Sequence, residues 1–187
     1  MTQILGLSGS LRAASFNSAL LRAAAGLMPA GTNFEIGTIA GIPLYDGDLE
    51  AQAGPPEAVT VLKERIAHAD AVLLATPEYN NSIPGVFKNA IDWCSRPAAD
   101  IELVFGGKPV ALMGASPGAF GTILSQDAWL PVLRTLGMDL WTSGKLMVSR
   151  ANDVFDEQGQ LVDAKTEQRL ARFLRGFADY ASGRPRE

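Results

Sequence analysis

The chain has 187 residues, a length that fits one domain with a full hydrophobic core. Hydrophobic residues make up 47% of the chain and charged residues 19%, which is typical of a globular protein. The net charge of −4 disfavours a nucleic-acid binder, and no apolar run approaches the ~18 residues that a membrane span needs.

Cysteine and histidine each occur once, which excludes several kinds of site. Cys94 has no second cysteine for a disulfide or a zinc site, and its apolar neighbours predict a small buried side chain rather than a reactive thiol. His68 has no nearby partners for a triad or a ligand set, so we expect a solvated helix position. We therefore expect no metal site. The chain starts on a strand-like segment with no basic and apolar leader, which indicates a cytoplasmic protein.

Strand-like and helix-like segments alternate along the chain. Strands are predicted at residues 3–7, 34–39, 70–76, 109–114 and across 139–148. Helices are predicted at residues 18–25, 57–69, 84–93, 123–136 and around 170–177. Residues 42–48 and 150–162 indicate polar loops, and the tail from Gly183 is expected to fray.

The segment at residues 70–76 is almost continuously apolar, as in a parallel strand covered on both faces. Five alternations of strand and helix predict an α/β fold, a three-layer sandwich with right-handed crossovers. Five strands in a chain of this size favour a flavodoxin-like parallel sheet of order 2-1-3-4-5, in a single domain spanning residues 1–187. The order itself does not follow from periodicity.

In that strand order, ligands bind beyond the carboxyl ends of strands 1, 3 and 4. The first of the three loops, at residues 6–17, combines small residues, hydroxyls and Arg12 directly before a helix. Free amides and the positive dipole end of a helix favour a phosphate there. The loop matches neither the P-loop nor the G-x-G-x-x-G pattern, which disfavours ATP hydrolysis and a Rossmann-type site. Taken alone, it is also compatible with a capped turn and a solvated arginine.

The other two loops have different chemistry. Residues 76–85 form a proline-flanked turn whose stiff backbone suits the edge of a flat heteroaromatic ring, with Tyr79 as a wall. The same residues also fit an ordinary strand-to-helix connection. Residues 114–121 are small enough for a ligand to approach the backbone closely, although a glycine-rich loop is weak evidence by itself.

With all three loops in view, the chain resembles the NADPH-dependent FMN reductase family, and within it the chromate/quinone reductase and azoreductase branch. The resemblance lies in three segments: Gly-Ser-Leu-Arg-Ala-Ala-Ser-Phe-Asn at 9–17, Pro-Glu-Tyr-Asn-Asn-Ser-Ile-Pro-Gly-Val-Phe-Lys-Asn-Ala-Ile-Asp-Trp at 77–93, and Gly-Ala-Ser-Pro-Gly-Ala-Phe-Gly at 114–121. It implies a flavodoxin-like fold with one non-covalent FMN.

The resemblance also implies which residues bind FMN. Six would hold its phosphate and ribityl chain: Ser10, Leu11, Arg12, Ser15, Phe16 and Asn17. Four would line the isoalloxazine, largely through the backbone: Pro77, Glu78, Tyr79 and Asn80. Ser116 and Gly118 would lie against the other edge of the ring. No side chain is expected to act as a catalytic acid or base, because the hydride chemistry belongs to the cofactor.

The implied function is transfer of hydride from NADPH or NADH, through FMN, to a small acceptor such as a quinone, chromate or an azo compound. Two alternatives remain: a flavin reductase that releases reduced FMN to a monooxygenase, and a flavodoxin-type electron carrier. Arg12 and the modest net charge count against the carrier. Leu124 stands where many quinone reductases of the branch have an arginine at a subunit contact, so we expect a homodimer, with a tetramer as the alternative.

Overall fold

The computed structural model describes residues 1–183. Its strands form one parallel sheet, and they are β1 (Thr2–Ser8), β2 (Thr32–Gly37), β3 (Ala71–Ala75), β4 (Pro109–Ala115), β5 (Asp139–Leu140) and β6 (Leu146–Val148). The strand order is β2-β1-β3-β4-β5, and β6 pairs with the carboxyl half of β4. The predicted flavodoxin-like sheet and its order 2-1-3-4-5 are confirmed.

Helices cover both faces of the sheet. They are α1 (Phe16–Leu27), α2 (Gly47–Ala53), α3 (Glu57–His68), α4 (Gly85–Cys94), α5 (Ile101–Phe105), α6 (Ile123–Thr135), α7 (Ala151–Val154) and α8 (Ala164–Ser182). Helices α1 and α8 share one hydrophobic cluster with the sheet, while α3, α4 and α6 share the other. This is the predicted three-layer arrangement.

The central strand β3 is covered by helices on both of its faces. All five of its residues are buried. Leu73 belongs to the cluster on the α1 and α8 face, whereas Leu74 belongs to the opposite cluster. Because successive side chains of a strand point to opposite faces, a strand between two helical layers must be apolar at every position. Each fully buried leucine contributes roughly 1.5–3 kcal/mol to folding.

The sequence predicted a single fifth strand within residues 139–148, whereas the structure has two short strands there, β5 and β6. The segment pairs with β4 at both ends, as β5 and β6. The linker between them, residues 141–145, has no register pair with β4, although the Trp141 amide still donates to the Val110 carbonyl at 2.9 Å. The Trp141 ring instead packs edge-on against Phe173 of α8, with ring centroids 5.2 Å apart. Burial of this large ring against α8 therefore competes with a continuous pairing to β4.

The prediction of polar loops at residues 42–48 and 150–162 misses two short helices. Helix α2 begins at Gly47, after Asp46 accepts a hydrogen bond from the amide of Asp48 at 2.9 Å. None of its residues is buried, so no apolar periodicity marks it in the sequence. Helix α7 is a single turn that follows Arg150 in the left-handed region at φ 50°. Of the tail predicted to fray from Gly183, residues 184–187 lie outside the described residues, and Gly183 caps the end of α8.

The two isolated residues, Cys94 and His68, take the expected positions. Cys94 is fully buried, and His68 is exposed at the end of α3. Among residues 1–183 no group of three histidine, cysteine or acidic side chains is arranged to hold a metal ion. Over the same residues no helix combines the length and apolar character needed to cross a bilayer.

Cys94 is expected to be inert in the folded protein. Burial raises the pKa of its thiol to about 12, so the reactive thiolate is scarce near neutral pH. We expect no labelling by iodoacetamide at pH 8 within the time that labels the urea-unfolded chain completely. Mass spectrometry of the two samples checks this, and rapid labelling of the folded protein would contradict the buried position.

Candidate functional site

Three loops meet at the carboxyl edge of the sheet because β1, β3 and β4 are neighbours. Backbone hydrogen bonds fix where each loop begins. The amide of Gly9 donates to the Ala75 carbonyl at 2.9 Å, and that of Thr76 donates to the Met113 carbonyl at 2.9 Å. The structure therefore brings together the three segments that the sequence analysis singled out.

The first loop ends at the N-terminus of α1. Ser15 is the N-cap, and its hydroxyl accepts a hydrogen bond from the amide of Ser18 at 3.3 Å. The hydroxyl of Ser10 accepts from the amide of Arg12 at 3.3 Å. The first turn of α1 has no acidic residue, so nothing on the helix itself offsets the positive end of its dipole. This end of the helix suits a negatively charged group.

Leu11 and Arg12 are exposed at the tip of the same loop. Within residues 1–183 the Arg12 guanidinium has neither an ion pair nor a hydrogen bond. Residues of the loop line two clefts, of about 270 and 510 Å³. A permanent charge with free donors thus lines the same cleft as Ser15 and Phe16 at the N-terminus of α1.

Asn17 is buried, unlike the exposed residues at the tip of the first loop. Its side chain is buried, with the amide nitrogen donating to the Ala115 carbonyl and the amide oxygen accepting from the Ala115 N–H, both at 2.9 Å. The neighbouring Phe16 stacks on Phe155 at a centroid distance of 5.8 Å. The two Asn17 hydrogen bonds hold the start of α1 against the end of β4, and so fix the first loop relative to the third.

The second loop contains a tight two-residue turn. Tyr79 and Ser82 exchange two backbone hydrogen bonds of 3.2 and 3.1 Å, and the residues between them, Asn80 and Asn81, have φ values of 50° and 62°. Positive φ at both central residues defines a type I′ turn, which asparagine tolerates better than other side chains do. Pro77 is buried before the turn, while the Tyr79 ring is 45% exposed. The loop is stiff and presents an aromatic ring at the open edge of the sheet.

The carboxylate of Glu78 caps α6. Its Oε2 atom accepts hydrogen bonds from the amides of Leu124 at 2.9 Å and Ser125 at 3.1 Å. The helix needs this partner because its own N-cap residue, Thr122, makes no side-chain capping bond. The Glu78 side chain therefore joins the second loop to the helix that follows the third loop.

A buried polar network beneath this cap was missed by the sequence analysis. The Thr76 hydroxyl accepts from the indole N–H of Trp129 at 3.1 Å and lies 2.8 Å from the Ser125 hydroxyl oxygen. The only signal in the sequence was a threonine at the end of an apolar strand. The network holds the end of β3 against α6 and supports the second loop from below.

Two glycines allow the three loops to approach one another. A Cβ atom on Gly9 would overlap the Phe87 ring, and one on Gly114 would overlap the side chain of Thr122 and the carbonyl of Thr76. In the third loop, the Ser116 hydroxyl accepts from the amide of Gly118 at 3.1 Å. Gly118 is exposed, and the loop presents backbone rather than bulky side chains at this point.

The donor set at this edge fits a phosphorylated planar group such as FMN. A helix N-terminus with no acidic residue in its first turn, nearby hydroxyls and an unpaired arginine match a phosphate. The stiff turn with exposed Tyr79 and the small residues of the third loop leave backbone groups accessible to a flat ring. The residues present thus agree with the group that the resemblance implies.

Replacing Glu78 tests the cap. Glu78→Ala is expected to lower the free energy of unfolding by about 1–2 kcal/mol, the usual effect of losing a helix cap. Glu78→Gln keeps an oxygen acceptor at the same position and should lose less than half of that. Urea denaturation of the FMN-free protein checks both variants. Equal stability of the alanine variant and the parent would contradict a capping role.

Comparison with known proteins agrees with this fold. The model of the family described as NADPH-dependent FMN reductase matches residues 2–153. An NAD(P)H-dependent FMN reductase from Pseudomonas aeruginosa is 47% identical over 175 residues, which is 94% of this chain and 92% of that protein. A 2-hydroxy-1,4-benzoquinone reductase from a Burkholderia species is 39% identical over 176 residues, 94% of each chain.

Among solved structures, the flavoenzyme NAD(P)H:(acceptor) oxidoreductase from Paracoccus denitrificans superposes with a TM-score of 0.86. It is 36% identical, and the match covers 97% of this chain and 98% of that one. The fold and these likenesses define a flavodoxin-like oxidoreductase. The chain belongs to the NADPH-dependent FMN reductase family, which confirms the enzyme class and the cofactors FMN and NAD(P)H expected from the sequence.

Proposed function

We propose that the chain is a single-domain NAD(P)H:quinone oxidoreductase that holds one FMN, acting in the cytoplasm as a homodimer. The observation that carries the proposal is the placement of unpaired Arg12 and the uncompensated N-terminus of α1 on the same sheet edge as the stiff second loop. When bound, FMN supplies the hydride chemistry, while the protein supplies position and electrostatics.

The first loop is proposed to bind the phosphate and ribityl chain. Arg12 contributes charge, and the hydroxyls of Ser10 and Ser15 keep their O–H groups available to donate. Leu11 and Phe16 supply apolar surface beside these donors. Asn17 acts on the phosphate site by holding α1 against Ala115.

The second and third loops are proposed to hold the isoalloxazine. Backbone groups of Pro77, Glu78, Tyr79 and Asn80 would meet one edge of the ring, and Ser116 and Gly118 the other. The turn at Asn80 and the cap made by Glu78 support this assignment, because both stiffen the backbone before any ligand binds. A preorganised loop loses less entropy when it binds a flat ring.

Quinones are the proposed acceptors because several relatives that match most of the chain are named for quinones. Chromate and azo compounds are further candidates, since a reduced flavin passes electrons to many acceptors with little recognition. The test is steady-state oxidation of NADPH and NADH by FMN-loaded, gel-filtered protein with benzoquinone, chromate or an azo dye. Fastest turnover with the quinone supports the proposal, and no oxidation with any acceptor would refute it.

The second candidate is a flavin reductase that releases reduced FMN, as the name of the Pseudomonas relative suggests. The two functions differ in how FMN behaves on gel filtration. An enzyme that retains its cofactor elutes with FMN and reduces benzoquinone without added flavin. Loss of FMN on the column, together with activity that depends on added FMN, would favour the reductase that releases its product.

The homodimer is proposed from apolar side chains that border the candidate site. Leu11, Phe120, Ile123 and Leu124 are all at least 45% exposed, and Phe120 is 81% exposed. A second subunit covering these side chains would remove apolar surface from water. Light scattering should give a mass of two chains of 19.8 kDa each. A mass of one chain or of four would contradict the dimer.

A further inference from the structure

A second cleft, of about 400 Å³, lies between the linker at residues 141–145 and helix α8. It shares no residue with the three loops of the candidate site. Three cationic side chains line it, namely Lys145 from the linker and Arg169 and Arg172 from α8. No carboxylate is among its lining residues within the described part of the chain. This cleft is a local concentration of positive charge on a protein whose net charge is −4.

The wall of the cleft is held rigidly by Trp141. Its ring packs against Phe173 at 5.2 Å and against Phe177 at 5.8 Å. Glycines on both sides admit the ring, since a Cβ on Gly176 would lie 2.8 Å from Trp141 Cζ2 and one on Gly144 would overlap the ring. The Trp141 ring therefore fixes the linker against α8, and the cleft is already formed before a ligand binds.

The cations are available to a ligand. Arg169 donates from Nη2 to the Met147 carbonyl at 3.2 Å, which orients its guanidinium and leaves other N–H groups free. Within residues 1–183, Lys145 and Arg172 form no ion pair. The three positive charges along the cleft repel one another. A multiply charged anion bound between them would be attracted to all three and would offset that repulsion.

We propose that this cleft binds a phosphate-bearing anion. Two arginines present planar forks of donors that match phosphate oxygens, and the lysine adds a compact charge to the same space. The half-buried indole beside them gives a planar group attached to the phosphate a surface to lie against. The inference does not depend on the proposed function, because it uses none of the residues assigned to FMN.

The test is titration of the FMN-loaded protein with inorganic pyrophosphate, followed by calorimetry and by tryptophan fluorescence. Loading with FMN keeps the probe away from the first loop. Trp93 and Trp129 are fully buried, so Trp141 reports on the cleft. We expect saturable one-to-one binding with a change in fluorescence. A parallel titration with ADP distinguishes two kinds of phosphate-bearing ligand. Tighter binding of ADP indicates that the cleft takes a nucleotide, and tighter binding of pyrophosphate indicates that it takes a phosphate compound without a base.

Charge-neutralising variants localise the binding. Arg172→Gln and Lys145→Gln should each weaken pyrophosphate binding about three- to tenfold, as expected for solvent-accessible charged contacts. Arg175→Gln is the matched control, because Arg175 is exposed on the same helix but does not line the cleft. It should change affinity less than twofold. Absence of saturable binding by the parent, or equal weakening by Arg175→Gln, would overturn the proposal.

Discussion

Replacing Arg12 by alanine is expected to weaken FMN binding by about 1.5–3 kcal/mol, which corresponds to roughly 10- to 150-fold in the dissociation constant. The guanidinium has no partner within residues 1–183, so its donors are available to the phosphate without breaking an existing interaction. The loss comes from removing charge-assisted hydrogen bonds at a helix N-terminus. Fluorescence titration of the FMN-free protein with FMN measures it.

Riboflavin and a distant arginine provide the controls for that experiment. Riboflavin has no phosphate, so its weaker binding should change little in Arg12→Ala. Arg175→Ala removes the same side chain from an exposed position on α8 and should leave FMN affinity unchanged. If Arg12→Ala binds FMN as tightly as the parent does, Arg12 is not a phosphate ligand.

Replacing Asn17 by alanine is expected to lower the free energy of unfolding by about 2–4 kcal/mol. The change leaves the N–H and the carbonyl of Ala115 without partners at a buried position, and unsatisfied buried groups cost more than an exposed hydrogen bond contributes. FMN affinity should fall as well, because the start of α1 loses its attachment to β4. Urea denaturation of the FMN-free protein measures the stability.

Asn33→Ala is the matched control for Asn17→Ala. The Asn33 amide also forms a side-chain hydrogen bond, to Gln3 at 2.6 Å, but on the exposed surface of the sheet edge. Its loss should cost less than about 0.5 kcal/mol. Equal and small effects of the two variants would show that the Asn17–Ala115 contact does not hold the loops together.

Much of the fold was predictable because the buried faces of the strands and helices leave regular patterns of apolar residues in the sequence. The apolar segment at 70–76 predicted a central parallel strand, and β3 occupies that position. The division of the last strand was not predictable, since it depends on the packing of Trp141 against α8, a contact between residues distant in sequence. Helix α2 was not predicted because it buries no residue and so has no apolar periodicity.

The candidate site was predictable at the level of loops rather than of contacts. Small residues, an arginine and a capping serine before a helix marked the first loop, and the structure places its N-cap at Ser15. The capping of α6 by Glu78 was not predicted, because it joins residues 46 positions apart. The same limit applies to Asn17, whose partner Ala115 is 98 positions away. Long-range hydrogen bonds leave no local pattern in a sequence.

The central claim is that the three loops hold FMN where NAD(P)H reduces it and a quinone reoxidises it. Its most direct test follows the visible absorption of the FMN-loaded, gel-filtered protein without oxygen. Addition of NADPH or NADH should bleach the flavin band, and subsequent addition of benzoquinone should restore it in full. A band that neither nucleotide bleaches, or that benzoquinone does not restore, would contradict the claim.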